Sequence, residues 1–246
     1  IIKCVDEKAF ADDPLRIMRA LRFACQLDFT IEKNTHALIK LHKNKLFEIP
    51  GERKLDELYK MVNTNITSNK LFAYFKSSKT TKEVFGVEFS VIRGDYKLKE
   101  LAEFLHLISY SDTDKVELFT KTLTISVKTQ NWLKAFDYWR KNLVVTEKTG
   151  NRKLFFKVLQ IAKDDSIINS ELWPASLRYD FDKKEKNLPT HKHQIDISGL
   201  ELMNEFGLKG SEINDVQEKI LDAIFRDDLK NNNWEIQKFL YKKMIK

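Results

Sequence analysis

The sequence predicts an all-α protein, an elongated array of small helical domains, and three observations carry that expectation. Glycine and proline are scarce, seven and four in 246 residues, too few to punctuate a turn-rich all-β architecture. Apolar residues recur at three- and four-residue intervals through most of the chain, the period of a helix buried on one side. Strand-like alternation is confined to two short runs.

The first helix signal opens at Asp13-Pro14 and runs through Leu15-Arg16-Ile17-Met18-Arg19-Ala20-Leu21-Arg22-Phe23-Ala24. An acid at the N-cap and a proline at the first helical position form an ordinary helix start. The arginines come later, farther from the positive end of the helix dipole. Leu55, Leu58, Tyr59 and Val62 mark a second helix, and Leu98, Leu101, Ala102, Leu105 and Ile108 a third. Phe85, Val87, Phe89 and Val91 alternate as a strand would, and so do Leu123, Ile125 and Val127. Both runs are short and lie within a helical sequence, so irregular or short helical segments are expected there. Leu154, Phe155, Val158, Leu159 and Ala162 mark another helix. The clearest stripe is Ile213, Val216, Ile220, Leu221, Ile224 and Phe225, after a turn between Gly207 and Gly210, and Trp234 begins the last helix. Polar runs at residues 63–69 and 180–189 are candidate linkers, which divides the chain into residues 1–65, 66–187 and 188–246.

Composition narrows the function classes. Cys4 and Cys25 are too few and too irregular for a disulfide framework or a zinc site, and suit reduced thiols in a cytoplasmic protein. No run approaches the roughly 18 apolar residues of a membrane helix. The formal charge of +7 lies mainly in residues 66–187, with 22 Lys/Arg against 16 Asp/Glu. Residues 1–65 hold 12 against 10, and residues 188–246 hold 9 against 10. Such a surplus suits a polyanion such as RNA. The chain begins at Ile1 within Ile-Ile-Lys-Cys-Val and reads as a piece of something longer.

Asp13 and Arg16 are the residues with the most specific chemistry. Three apart on a helix, they are surface neighbours, an acceptor beside a forked donor. Cytosine presents an exocyclic amine beside ring N3, and adenine one beside N1. The carboxylate can accept from the amine while the guanidinium donates to the ring nitrogen. Uracil and guanine present the reverse order and leave groups unpaired. One good bidentate contact discriminates by ~1–3 kcal/mol, and unmatched polar groups add to the penalty. Local chemistry alone favours a capped helix with no further role.

The run from Asp12 to Ala24 resembles the Glu-Asp-x-x-Arg motif of class II CCA-adding tRNA nucleotidyltransferases and bacterial poly(A) polymerases. Leu27-Asp28-Phe29-Thr30-Ile31-Glu32 is similar to the continuation of that motif, and Gly51-Glu52-Arg53-Lys54-Leu55-Asp56-Glu57-Leu58 to the family's Glu-Arg-x-x-x-Glu-Leu motif. Leu188-Pro189-Thr190, Ile197 to Met203, and Gly207 to Gly210 are similar to the tail of Gram-positive-type enzymes. The resemblance implies that Asp13 and Arg16 read the base of incoming CTP or ATP. It also implies supporting roles for Asp12, which replaces the family's glutamate, and for Glu52 and Arg53. Arg19 and Arg22, farther along the same helix, are candidate RNA or phosphate contacts, with solvated or ion-paired roles as the alternative. By the same resemblance residues 1–65 are a neck, 66–187 a helical body and 188–246 a tail that holds tRNA.

The family's transfer chemistry uses Mg2+ on an Asp-x-Asp pair after a glycine-rich strand turn, with a separate Arg-Arg-Asp segment. Asp112-Thr113-Asp114 and Asp180-Phe181-Asp182 lack that context, and no Arg-Arg-Asp occurs. The catalytic head is therefore expected to be missing, its metal ligands outside this chain, and the fragment inactive alone. No His…His-Asp constellation of a phosphohydrolase occurs either. His191-Lys192-His193 with Asp196 reads as an exposed basic loop before a metal site. The expected partners are tRNA, CTP and ATP, with no membrane. Alternatives are a portion of a bacterial poly(A) polymerase and a non-catalytic helical RNA-binding module.

Overall fold

A computed structural model describes residues 1–89, 91–92, 94–109, 113–142, 148–173, 188–189, 191–226 and 228–244. Among these, thirteen α-helices and no sheet are found; two isolated bridges, Ile2 with Ile31 and Thr67 with Lys97, are the strand-like pairings present. The predicted all-α class is what the chain adopts. Packing divides it into two units: residues 1–137 with 170–172, and residues 138–169 with 173–246.

The first unit begins with α1 (Ala9–Asp12), α2 (Leu15–Leu27) and α3 (Lys33–His42), followed by a 3₁₀ segment (Lys43–Glu48). Helix α2 buries Leu15, Ile17, Met18, Leu21, Ala24 and Cys25 on one side and leaves Arg16, Arg19, Phe23 and Gln26 exposed. It stops at Asp28, which takes the left-handed conformation at φ 54° and donates its amide to the Ala24 carbonyl. The chain then returns beside its own start, where Ile2 donates to Thr30 O at 2.8 Å and Glu32 to Ile2 O at 2.9 Å. Helices α4 (Gly51–Val62), α5 (Ser68–Ser78) and α6 (Thr81–Phe85) follow, then α7 (Leu101–Ser109), α8 (Thr113–Leu123) and α9 (Val127–Lys141), whose residues from 138 on belong to the second unit.

One apolar core runs through this unit from Phe10 to Leu133. Phe72, Phe75, Phe85, Phe89, Phe104 and Phe119 form its aromatic centre, with Phe75 and Phe85 edge to face at 5.0 Å. The strand-like run at 85–91 is explained by this cluster. Phe85 ends α6, Gly86 reverses the chain at φ 79°, and Phe89 returns to the same rings. Leu123 likewise ends α8, Thr124 turns at φ 54°, and Val127 begins α9. The polar run at 63–69 is a short connection, with Ser68 donating its amide to Tyr96 O at 2.8 Å. Core residues lie on both sides of position 65, so α4 and α5 share one interior.

The second unit contains α10 (Lys148–Ala162), α11 (Gly199–Phe206), α12 (Ser211–Phe225) and α13 (Asn233–Met244). Phe156 stacks on Phe225 at 3.9 Å, and Ile220, Leu221 and Ile224 are buried, as the stripe on α12 requires. Ser198 opens α11 with a capping box. Its hydroxyl accepts from Glu201 N at 3.1 Å, and the Glu201 carboxylate accepts from Ser198 N at 2.7 Å. Those bonds, with another from Asn233, hold the Glu201 carboxyl below its ordinary range. Gly207 ends α11 in the left-handed conformation, at φ 69°, that glycine adopts without strain. The linker expected at 180–189 lies almost wholly outside the described residues, as does the Asp180-Phe181-Asp182 pair.

Candidate nucleotide-reading site

The site is set by the turn between α1 and α2. Asp13 is extended, at φ −137° and ψ 93°, and Pro14 is already helical, so the acid stands at the boundary where an N-cap belongs. Its Oδ1 accepts from Leu15 N at 3.2 Å, and its carbonyl accepts from Arg16 N at 3.0 Å. The other carboxylate oxygen, Oδ2, lies 3.8 Å from Arg16 Nε. One side chain therefore caps the helix and faces the guanidinium. Both groups are open, with side-chain exposures of 30% for Asp13 and 50% for Arg16. A carboxylate has about four lone-pair positions, so the single cap bond leaves room for an amine donor. Lys45 fixes the turn from the other side, donating from Nζ to Ala11 O at 2.9 Å.

The packing of α2 against α4 decides where the other candidates lie. Arg22 donates from Nε to Glu57 Oε2 at 2.6 Å, with side-chain exposures of 15% and 4%, and from Nη1 to Gln26 at 2.7 Å. Its guanidinium also sits 4.1 Å from the centre of the Phe23 ring. Arg22 is thus committed to joining the two helices, the ion-paired alternative of the sequence reading. Lys60 takes up the remaining charge, pairing with Asp56 and lying 3.4 Å from Glu57 Oε1. The bond Lys60 donates to the Asp56 carboxylate raises the lysine pKa above its ordinary value.

Asp12, Arg19, Glu52 and Arg53 behave differently. All four are exposed, and among the described residues none of these side chains has a hydrogen-bond or ion-pair partner. The brace between α2 and α4 is made by Glu57 instead of the Glu52-Arg53 pair. Lys54 anchors the far side of α4, buried and donating to Glu83 O at 3.3 Å. Burial lowers its pKa. Lys43 in turn pairs with the Glu83 carboxylate. Lys54 and Glu57 share i, i+3, i+4, i+7 spacing with Leu58 and Met61, and that spacing was the available sign that both point inward.

Between α2 and α4 lies an open cleft of about 260 Å³, with Leu15 and Arg19 on one helix and Glu52, Arg53, Asp56, Glu57 and Lys60 on the other. Arg19, Glu52 and Arg53, separated in sequence, therefore meet at one place. In the second unit the basic loop is structural. The His191 side chain caps the 3₁₀ turn at 192–194, Lys192 pairs with Glu218 at 3.2 Å, and Asp196 accepts from Asn233 N at 2.9 Å. Among the described residues no group of three or more His, Cys, Asp or Glu could hold a metal ion, and no helix is long and apolar enough to cross a membrane.

A family profile described as the probable RNA and SrmB-binding site of polymerase A matches residues 28–72. The CCA-adding enzyme of Lactococcus lactis subsp. cremoris is 30% identical over 233 residues, covering 90% of this chain and 56% of that protein. Over most of its length the chain is similar to CCA-adding enzymes, and over residues 28–72 to the polymerase A profile. The CC-adding tRNA nucleotidyltransferase of Geobacter sulfurreducens is 49% identical over 63 residues, 26% of this chain and 15% of that relative. The structure of the Thermotoga maritima CCA-adding enzyme complexed with tRNA has the same fold, at a TM-score of 0.63 and 20% identity, covering 98% of this chain and 64% of that one. The chain spans just over half the length of its Lactococcus relative.

Proposed function

We propose that this chain is the nucleotide-selecting and tRNA-binding portion of a cytoplasmic CCA-adding tRNA nucleotidyltransferase, which adds C, C and A to the tRNA 3′ end from CTP and ATP. The observation that carries the reading is the open Asp13–Arg16 pair, a carboxylate and a guanidinium 3.8 Å apart on one helix start. A cytosine or adenine edge laid across that start gives its amine proton to Asp13 and receives a hydrogen bond at the ring nitrogen from Arg16. Uracil or guanine would set an N–H against the arginine and a carbonyl against the carboxylate.

Asp12 supports this reading by its place next to Asp13 in the turn, and Glu52 and Arg53 by lying beside α2 across the cleft. Residues 1–65 act as the neck, 66–187 as the body and 188–246 as the tail that grips tRNA. The Mg2+ ions of phosphoryl transfer are expected on groups outside this chain, since neither Asp-x-Asp pair follows a glycine-rich strand turn and no Arg-Arg-Asp segment occurs. On this reading the chain alone transfers no nucleotide. A bacterial poly(A) polymerase is the second reading, favoured by the family profile over residues 28–72; selection of CTP beside ATP separates the two.

The test is direct binding of the four nucleoside triphosphates to the purified chain. CTP and ATP should bind more tightly than UTP and GTP, and Arg16→Ala should reduce that preference about tenfold while leaving tRNA affinity nearly unchanged. Preference for ATP alone would select the polymerase reading. Equal binding of all four by the parent chain would count against base reading.

A further inference from the structure

We infer that the cleft between α2 and α4 is a phosphate-binding site in which Arg19 and Arg53 grip the backbone of a single-stranded RNA 3′ end. Three observations lead there. The cleft is an open recess of about 260 Å³, with the buried Leu15 in its lining. The carboxylates within it are largely neutralised from inside the protein, Glu57 by Arg22 and Asp56 by Lys60. Arg19 and Arg53 meanwhile remain without a side-chain partner among the described residues, although Glu52 and Asp56 line the same cleft.

Counting Arg22 with the lining residues, four cations face three carboxylates, and the charge left uncompensated is Arg19, Arg53 and Glu52. Two unpaired guanidinium forks set against one exposed carboxylate favour an anion, and phosphate oxygens fit the planar fork in a bidentate manner. Phosphates could come from an RNA strand or from a nucleotide. RNA is the better occupant because Arg19 lies three residues beyond Arg16, about 4.5 Å along the helix. An RNA 3′ end that stacks beside the nucleotide read at Asp13 and Arg16 would bring its terminal backbone phosphate towards Arg19. The assignment rests on the base-reading proposal for that register. It moves Arg53 from a supporting role to a contact, and it removes Arg22, which is already spent on Glu57.

The experiment measures binding of a short single-stranded RNA ending in CC, of CTP and of tripolyphosphate, to the parent chain over a range of salt. Arg19→Gln, Arg53→Gln, the double variant and Arg19→Lys are measured alongside. All four substitutions are at exposed positions, and circular dichroism checks that the helices persist. Each glutamine variant should weaken RNA about fivefold or more at low salt. Each should also reduce the slope of log affinity against log salt by about 0.7, the loss of one phosphate contact. Arg19→Lys should keep the slope. Weakened tripolyphosphate and CTP with unchanged RNA would keep the phosphate site and make a nucleotide its occupant. RNA, CTP and tripolyphosphate binding the double variant as they bind the parent would overturn the site, and so would no binding of any probe by the parent. Arg16→Ala in the same series keeps the two proposals apart. If it leaves the preference for C over U intact while the glutamine variants lose affinity, base reading fails and the phosphate site stands.

Discussion

Asp13 caps a helix and still presents a carboxylate oxygen to its neighbour. Its Oδ1 takes the Leu15 amide and its Oδ2 faces Arg16, so the capping geometry points the rest of the carboxylate at the arginine. Glu57 has the opposite character. It is almost fully buried at the side of the cleft, accepts from Arg22 at 2.6 Å and has Lys60 nearby. Removing one member of a buried pair leaves an uncompensated charge, which costs more than the pair contributes. Glu57→Ala is therefore expected to destabilise the chain by about 3 kcal/mol, read from urea denaturation. Glu52→Ala, at an exposed and unpaired position, should change stability by no more than about 0.5 kcal/mol. Equal effects of the two substitutions would mean that the brace is not where the geometry puts it. This pair also marks a limit of sequence reading. Both glutamates belong to one short motif, and only tertiary packing tells which turns inward.

Helix α4 depends on a close approach at its first residue. A Cβ built on Gly51 would lie 2.5 Å from the Thr122 carbonyl oxygen and 3.0 Å from Leu123 C, both backbone atoms at the end of α8. In an unobstructed helix, alanine is better than glycine by roughly 0.5–1 kcal/mol. Here the sign should reverse, with Gly51→Ala costing about 1–3 kcal/mol because backbone must shift. Thermal denaturation of the two proteins checks this, and a stabilised alanine variant would refute the close contact. The same substitution would displace Glu52 and Arg53, the next residues on α4, so the cleft should lose definition along with stability. Periodicity made most helices legible: the stripes on α4, α10 and α12 fall inside helices, and the one on α7 does so from Leu101 onward, Leu98 lying just before it. The short segments were harder, because Phe85, Val87 and Phe89 alternate to reach an aromatic cluster from a turn and not to form a strand. The cleft was not legible as a place. Arg19, Glu52 and Arg53 could be listed from motifs, but their convergence required α2 and α4 to be paired by Arg22 and Glu57.

At the scale of the whole molecule, the open question is what the surplus of basic residues does. Residues 66–187 hold 22 Lys/Arg against 16 Asp/Glu, and several of those cations are already engaged, Lys70 with Asp28 and Lys128 with Glu100 among them. Pairs at such exposure contribute little to stability, so these lysines remain available to exchange a carboxylate for a phosphate. Binding tRNA through them would release counterions, and affinity must then fall as salt rises. The purified chain is expected to bind tRNA lacking its terminal CCA, with affinity falling about tenfold or more between low and moderate salt. In the same tubes, with Mg2+, CTP and ATP present, no nucleotide should be incorporated. The two readouts are independent. A flat salt response would make the basic residues irrelevant to RNA, whatever the site at Asp13 does. Metal-dependent incorporation of CMP or AMP would show that the chain carries transfer chemistry after all, and the separation of base reading from catalysis would have to be abandoned.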